Sequence, residues 1–467
     1  MPYAIKLRGP VLLSALLLAL VLCGCAAPVA ETAAPEPTPV PTATPIPRVD
    51  LGGVEAPLDA EVLALENEFF TVDLLVEHSD KLTCVREIDL GRTELKPSEL
   101  ERILEAYPDA EVHWIVDILG EELPGESETL DLSELRPEDV ETVCAALRRM
   151  IRLRSIDLIP ESGITQLEPR EVDLLQAAAP QAQLDCCFEL YGQLASWQTE
   201  ELRYSKQKLG DGAIEVFRSV LPYLRSLKLL RMYACGIEDH DAMAQLKNDF
   251  PDVNIVWSVK IAGYNFMTDT VLFHCPLLRD QHVELLKYLT EVEYLDVGHN
   301  RFLTTIDFAR YFPKLTVIIL SITKISDISA LAECPELEFV ELLNTHISDL
   351  TPLSGLKKIE YLNIGYMPYL RELKPIYGLT SLKMVRVVGP YNYIKDYMVE
   401  ELKAALPDAF ISTYGGDPST SGYWRFDKDH NYTERYALLR QQMLYDVKNW
   451  QDRQQNSPTR LEGDIER

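Results

Sequence analysis

After its first two dozen residues the chain has no hydrophobic run long enough to cross a bilayer. A transmembrane helix needs about 20 consecutive, mostly apolar residues, and no later segment approaches that length. Basic residues are scarce beside acidic ones, with 45 Lys and Arg against 73 Asp and Glu and a net charge of −28. An acidic surface repels nucleic acid and anionic headgroups. We therefore expect no nucleic-acid partner and no contact with a membrane other than through a covalently attached lipid.

Cysteine is sparse, and the signatures of catalysis are missing. Seven cysteines follow Cys25, an odd number without regular spacing, which favours buried free thiols over a disulfide framework. The chain has no Gly-rich phosphate loop, no His-Glu-x-x-His, no Gly-x-Ser-x-Gly and no Cys-x-x-Cys. Its eight histidines are scattered. We predict that the protein is not an enzyme and uses no metal or cofactor.

The N-terminal segment is typical of an exported, lipidated protein. Lys6 and Arg8 precede an apolar stretch at residues 11–22, and Leu22-Cys23-Gly24-Cys25 follows the pattern of a bacterial lipobox. We predict a signal peptide at residues 1–24 and lipidation of Cys25, which would place the protein on the extracellular face of the cell membrane. The alternative is an ordinary secretory signal. Residues 25–48 contain seven prolines and form an extended linker.

Between residues 292 and 390 the sequence repeats every 22 to 23 residues. Five segments share one template, with apolar residues at the first, fourth and sixth places: VEYLDV (292–297), LTVIIL (315–320), LEFVEL (337–342), IEYLNI (359–364) and LKMVRV (382–387). This is the leucine-rich-repeat pattern, in which neighbouring units stack because none can bury its apolar face alone. We predict an α/β solenoid, a curved horseshoe with a parallel sheet on its concave face and helices and loops on its convex face.

A longer repeat lies upstream of the short ones. Its marker reads YPDAEVHW (107–114), APQAQLDC (179–186) and FPDVNIVW (250–257), at spacings of 72 and 71 residues, with a truncated copy LPDAFI (406–411). Each marker follows a short helical pattern that ends before the proline. We predict two strand-plus-helix modules in each unit. The segment after each marker either extends the parallel sheet or turns back as a hairpin.

These periods divide the chain into five parts. The signal peptide at 1–24 and the lipidated linker at 25–48 come first. Long, helix-backed repeats occupy residues 49–291, and short repeats occupy 292–414. Residues 415–467 form a C-terminal segment in which Tyr436, Leu439, Met443 and Val447 recur at helical spacing. We expect this helix to cap the open end of the last repeat, with a polar tail from residue 451.

Several phrases resemble leucine-rich-repeat lipoproteins of Gram-positive gut bacteria. They are FPDVNIVWSV (250–259), YLDVGHN (294–300), ISDISAL (325–331) and ISDLTPL (347–353). The last two are also similar to the short repeats of internalins, surface proteins that grip host receptors. The resemblance implies a solenoid shape and a surface address, and says little about a ligand.

The third and fifth places of the template point away from the solenoid core, because side chains alternate along a strand. We call the sheet side that carries them the inner face. Its aromatic and apolar column at the third place is expected to be exposed, and exposed columns of this kind often mark binding surfaces. The candidate ligand-binding residues are Tyr294, Asp296, Val317, Phe339, Glu341, Tyr361, Asn363, Met384 and Arg386.

Two functions fit this face. The first is a surface-anchored lipoprotein that binds a protein or peptide, of host or bacterial origin. The alternative is a glycan-binding or envelope-scaffold lipoprotein, in which Tyr294, Phe339 and Tyr361 stack on sugar rings. A purely structural role for these side chains stays open too, because aromatic and β-branched residues favour strands and stabilise cross-strand pairs without any ligand.

Overall fold

The computed structural model describes residues 46–66, 68–388, 393–415 and 423–447. The predicted signal peptide at 1–24, Cys25, all of the linker before residue 46 and the polar tail from 451 lie outside the described residues. The contacts divide the chain into two compact units. One consists of Met1–Thr199 with Ser219–Ser226, and the other of Glu200–Arg218 with Leu227–Arg467.

The first unit holds two copies of the long repeat, each with three short parallel strands. An antiparallel pair, β1 (Arg48–Asp50) and β2 (Glu55–Pro57), precedes them. The first copy contains β3 (Val62–Ala64), α1 (Val72–Glu77), β4 (Glu87–Asp89), α2 (Pro97–Ala106), β5 (Glu111–His113), β6 (Ile115–Ile118) and β7 (Glu121–Pro124). The second contains β8 (Thr129–Asp131), a 3-10 turn (Pro137–Asp139), α3 (Val140–Leu147), β9 (Ser155–Asp157), α4 (Pro169–Ala178), β10 (Gln183–Asp185), β11 (Cys187–Leu190) and β12 (Gln193–Ser196).

Each long repeat closes with a hairpin. The marker strand pairs in parallel with the strand before it, as β5 does with β4, and the next segment turns back, as β6 and β7 do. The two turn residues have positive φ in all three copies, with φ of 56° and 89° at Leu119 and Gly120. Glycine at the second turn position permits the type I′ geometry that matches strand twist. Of the two connections left open by the sequence, the segment after each marker therefore takes the hairpin.

The second unit begins with the third long repeat and continues into the short ones. The long repeat contains β13 (Glu201–Ser205), α5 (Gly212–Val220), a 3-10 turn (Leu221–Tyr223, within the first unit), β14 (Leu229–Tyr233), α6 (His240–Asp249), β15 (Asn254–Ile261) and β16 (Tyr264–Met267). The short-repeat strands are β17 (Leu272–His274), β18 (Tyr294–Asp296), β19 (Val317–Ile319), β20 (Phe339–Glu341), β21 (Tyr361–Asn363) and β22 (Met384–Arg386). Then come α7 (Asp396–Ala405), β23 (Phe410–Ser412) and α8 (Glu434–Gln442).

The strands β17 to β23 form one seven-stranded parallel sheet in sequence order. Behind it the repeats return through 3-10 helices at Asp280–Tyr288, Asp307–Tyr311, Ser329–Glu333, Thr351–Leu353 and Lys374–Ile376. The first of these was expected to be a longer helix of the long-repeat type. The fourth-place residues Leu295, Ile318, Val340, Leu362 and Val385 are all fully buried between the sheet and these backs. The chain is therefore an α/β leucine-rich-repeat solenoid, as the sequence predicts.

A polar side chain stabilises the turn after the strand in three of the short repeats. Asn300 donates from Nδ2 to the carbonyl oxygens of Cys275 and Val297, at 2.8 and 2.9 Å. Thr323 and Thr345 stand at the same place and donate to Leu320 and Leu342 within their own turns. Asparagine has a second N–H and can join two repeats, whereas the threonine hydroxyl has one donor.

Candidate functional site: the inner face and its C-terminal cover

The predicted inner-face residues stand in two straight columns. Strand pairing places the third-place residues opposite one another in order: Tyr294, Val317, Phe339, Tyr361 and Met384. The same register aligns the fifth-place residues Asp296, Ile319, Glu341, Asn363 and Arg386. Adjacent strands lie about 4.8 Å apart, so each column forms a continuous strip. All nine candidate residues therefore share one side of the sheet.

This face is not exposed, and the expectation that it would be open is wrong. Val317, Asn363 and Arg386 have no accessible surface, and Phe339 is 2% exposed. The remaining candidates Asp296, Glu341 and Met384 are buried, and only Tyr294 and Tyr361 are partly exposed. A sheet with helices on one side only cannot bury both faces, so another part of the chain must cover this one.

The cover is the described part of the C-terminal segment, residues 423–447, which we call the C-terminal cover. Its side chains Trp424, Tyr436, Leu439 and Met443 form one apolar cluster with the inner face, and Leu444 and Tyr445 pack against the cluster. The sheet contributes Leu272, Val317, Ile319, Phe339 and Met384.

The prediction that the C-terminal helix caps the end of the array is therefore wrong. On β23, Phe410 remains 52% exposed and contacts Tyr423 of the cover in a T-shaped arrangement, at 5.9 Å between ring centroids. At the other end of its path, the cover reaches β18 through Tyr445. It thus runs across the strands. An aromatic column along five strands offers more apolar area to bury than the single strand at the end.

Two hydrogen bonds to carboxylate groups join the cover to the fifth-place residues. The indole Nε1 of Trp424 donates to Oε2 of Glu341 at 2.6 Å, and the hydroxyl of Tyr445 donates to Oδ2 of Asp296 at 2.7 Å. The second oxygen of Glu341 accepts from Ser321 at 2.6 Å. Buried carboxylates must have such partners, because an unpaired buried charge is costly.

The carboxylate of Asp296 has two further polar partners in the short repeats. His274 lies 3.1 Å from its Oδ2, and the backbone N–H of Gly298 donates to Oδ1. Burial alone would raise the pKa of Asp296, but the hydrogen bonds and the charge of His274 outweigh it and lower that pKa below the usual value. Burial, followed by the Asp296 charge, raises the pKa of Tyr445 well above its ordinary value. Tyr445 therefore stays a neutral donor.

Arginines fill the space between the sheet and the cover. The guanidinium carbon of Arg435 lies 4.9 Å from the ring centroid of Phe339 and 5.7 Å from that of Tyr361. Arg386 lies on the sheet beneath the cover, 5.7 Å from the ring centroid of Tyr366. Burial lowers the pKa of both guanidinium groups. Contacts of a cation with ring faces strengthen as water is removed.

Several contributors to this face were missed from the sequence, among them Ile319, His274, Trp424 and Arg435. Ile319 occupies the fifth place of its repeat, so the template already marked it, whereas His274 comes from a strand outside the five aligned segments. Trp424 and Arg435 lie in a segment whose helical spacing indicates an apolar side but not the surface it meets. The arrangement has the properties of a binding surface. Within the described ranges, no group of three or more His, Cys, Asp and Glu side chains could hold a metal ion.

The described residues contain no helix that is both long and apolar enough to span a membrane. All seven cysteines after Cys25 are free, with Cys84 exposed and the other six buried. The predicted lipidation site, Cys25, lies outside the described residues.

No family model and no curated protein matches the chain. Among solved structures it is similar to an internalin of Listeria monocytogenes, at 15% identity over 73% of this chain and 71% of that one, with a TM-score of 0.27. It is similar to internalin C2 of the same species at 18% identity, 53% and 84% coverage and a TM-score of 0.27. A leucine-rich-repeat protein of Leptospira interrogans matches at 17% identity, 71% and 90% coverage and a TM-score of 0.27. The fold assignment rests on the strand register rather than on these distant likenesses.

Proposed function

We propose that the protein is a surface-anchored bacterial lipoprotein whose repeat ectodomain binds a protein or peptide segment on the inner face of β17 to β23. One observation carries the proposal: this face already holds a peptide segment, the C-terminal cover, through aromatic and arginine anchors. Trp, Tyr and Arg are the residues that dominate binding energy at protein interfaces. An external segment with the same spacing of anchors would take the place of the cover.

The proposed location, on the outer face of the cell membrane, rests on the sequence. The Leu22-Cys23-Gly24-Cys25 phrase and the proline-rich linker support lipidation of Cys25 and attachment to the outer face of the cell membrane. Replacing Cys25 with Ala should abolish incorporation of labelled fatty acid and release the protein from the membrane fraction. Cys23→Ala is the matched control and should leave both unchanged. Release by Cys23→Ala instead of Cys25→Ala would place the anchor elsewhere.

The glycan alternative loses the central one of its three aromatic residues on this face. The centroid of the Phe339 ring lies 5.1 Å from that of the Trp424 ring and 4.9 Å from the guanidinium carbon of Arg435. Phe339 is 2% exposed. A sugar ring needs an open aromatic face to stack on. With the cover in place, Phe339 offers none, and Tyr294 and Tyr361 are only partly exposed.

Occupation of the face by the cover determines how the function is tested. A tethered segment acts at an effective concentration of roughly millimolar, so an added peptide cannot compete well in the unaltered chain. Leu439 of the cover is fully buried against the inner face, whereas its neighbour Leu438 is 46% exposed. We therefore compare Trp424→Ala/Leu439→Asp, which should release the cover, with Trp424→Ala/Leu438→Asp as the matched control.

The measurement is the fluorescence anisotropy of a labelled peptide with the sequence of residues 423–447. The released variant should bind it at least roughly tenfold more tightly than the unaltered chain, and the control should fall between the two. A scrambled peptide should bind neither. Equal affinity of the released variant for the native and scrambled peptides would refute a peptide-binding inner face. A true partner would displace the labelled peptide.

A further inference from the structure

A second surface follows the turns after the short-repeat strands. In four consecutive repeats the chain turns through a residue in the left-handed region, with φ between 54° and 64°: His299, Ile322, Asn344 and Tyr366. Each turn is tied to the next by a backbone hydrogen bond, such as His299 N–H to Ser321 at 2.7 Å and Asn344 N–H to Gly365 at 3.0 Å. The turns therefore form a rigid ladder, and side chains at equal positions stand in a row.

One position of this ladder is basic in four successive repeats. It lies seven residues after the first residue of strands β17 to β20 and is occupied by Arg279, Arg301, Lys324 and His346. All four side chains are exposed, and none forms an ion pair with another described residue. Other cations of the same repeats do, as Lys314 does with Glu291 and Lys358 with Glu336. Three exposed cations and a histidine thus stand at one position of the ladder on a chain of net charge −28.

Two exposed aromatic residues lie beside this row. Phe302 is 66% exposed and Tyr369 is 48% exposed. Each precedes a buried leucine, Leu303 or Leu370, and is the additional residue that makes its repeat 23 residues long. An insertion that leaves the buried positions filled and adds an aromatic ring on the outside contributes little to the core. Its effect is on the surface.

Side chains of the basic row contact both rings. Arg279 lies 5.1 Å and Lys324 6.0 Å from the ring centroid of Phe302, so three consecutive repeats meet at one ring. The ring of His346 meets Tyr369 at 5.2 Å in an edge arrangement. The result is a strip of basic side chains and aromatic rings in contact with one another.

The acids of these loops are engaged in turn contacts. Asp280 accepts hydrogen bonds from the backbone and hydroxyl of Thr304. Asp327 accepts from the Ser329 backbone, and Asp349 accepts from that of Thr351, both at 2.8 Å. These carboxylates brace the loops instead of pairing with the basic row.

Backbone donors of the row are also in use. The N–H of Lys324 donates to Leu303 and that of His346 donates to Ile325, both at 3.0 Å. A peptide cannot add here as a strand, since strand addition needs free main-chain groups. Recognition must come from side chains alone, which suits a ligand that presents negative groups and ring faces at regular intervals.

We propose that this turn ridge, made of Arg279, Arg301, Phe302, Lys324, His346 and Tyr369, binds an anionic polysaccharide. Its carboxylate or phosphate groups would pair with the Arg and Lys side chains, and the C–H faces of its sugar rings would pack on Phe302 and Tyr369. The ridge is a different surface from the inner face and needs no release of the cover.

The test measures binding of the lipid-free chain, residues 26–467, to immobilised polygalacturonate and phosphomannan. Dextran is the neutral glycan, and polyglutamate carries charge without sugar rings. Arg301→Glu/Lys324→Glu should weaken binding to at least one anionic glycan roughly tenfold or more, because two charge-assisted contacts become repulsive. Lys208→Glu/Lys260→Glu changes net charge equally at two other exposed lysines and should stay within about twofold.

Phe302→Ala/Tyr369→Ala separates stacking from charge, and should weaken glycan binding while leaving polyglutamate binding unchanged. Preference for polygalacturonate or phosphomannan would identify carboxylate or phosphate as the anion. Tighter binding to polyglutamate than to either glycan would make the ridge an acidic-peptide site and overturn the proposal. So would equal loss in the two charge-reversal variants, or no binding of either glycan. Trp424→Ala/Leu439→Asp should bind the glycan normally, so failure at the inner face and failure at the ridge are distinguishable.

Discussion

The indole Nε1 of Trp424 donates to Oε2 of Glu341 at 2.6 Å, across 83 residues of sequence. The bond is buried and joins the C-terminal cover to the middle strand of the seven-stranded sheet. The ring of Trp424 also packs on Phe339, two residues before Glu341. One side chain therefore satisfies a buried carboxylate and covers the aromatic column.

Replacing Trp424 with Phe should destabilise the second unit by about 1–3 kcal/mol, because the ring is kept while Glu341 loses a donor in a buried site. Chemical unfolding of Trp424→Phe, Glu341→Gln and the double variant measures the coupling. We expect a coupling energy of about 1 kcal/mol or more, since the two side chains touch. Additive effects of the two substitutions would mean that the bond is absent in solution.

Acid should weaken the contact between Tyr445 and Asp296. The folded-state pKa of Asp296 is lowered, so its stabilising effect is complete above the unfolded-state value of about 3.9 and is lost as pH falls through the folded-state value. Unfolding free energy should therefore fall below about pH 4, and Asp296→Asn should flatten this part of the profile. An unchanged slope in Asp296→Asn would show that another group is responsible.

The sequence predicts the sheet better than it predicts the cover. Apolar residues at fixed places of a 22-residue period specify both the strand and the side each residue faces, so Tyr294, Phe339 and Tyr361 align as expected. Tyr436 and Leu439 likewise lie on the buried side of α8. A helical period, however, reports only that one side is apolar. The helix could cover either the end of the solenoid or its inner face. The helical period contains no information that selects between these two surfaces.

Alkylation should modify Cys84 faster than the other described cysteines. It is exposed, while burial raises the pKa of Cys186 to about 12 and that of Cys275 to about 11. Thiols with raised pKa values hold little thiolate and react slowly. In the native protein at pH 8, iodoacetamide should label Cys84 alone among the described cysteines, as read by peptide mass spectrometry. Cys84→Ser should abolish fast labelling, and rapid labelling of Cys186 would contradict its burial.

Gly125 allows a close approach of the backbone to Trp114. A Cβ at this position would overlap the indole Nε1 of Trp114, which is 1% exposed and donates to the carbonyl of Arg149 at 3.0 Å. Gly125→Ala should cost about 3 kcal/mol or more, because a well-packed Trp cannot move aside. Gly355→Ala is the control, since its Cβ would meet no atom within 4 Å, and should change stability by less than about 1 kcal/mol. Thermal unfolding compares them.

The position of the C-terminal cover is tested most directly by photocrosslinking from the inner face. Tyr361 is replaced by benzoylphenylalanine, because its ring is partly exposed and lies 5.7 Å from the guanidinium carbon of Arg435. Irradiation followed by mass spectrometry should join position 361 to a peptide within residues 423–447. The same probe at Tyr397, an exposed residue of α7, should not. Crosslinks from position 361 only to other partners, with the C-terminal peptide recovered free, would contradict the account.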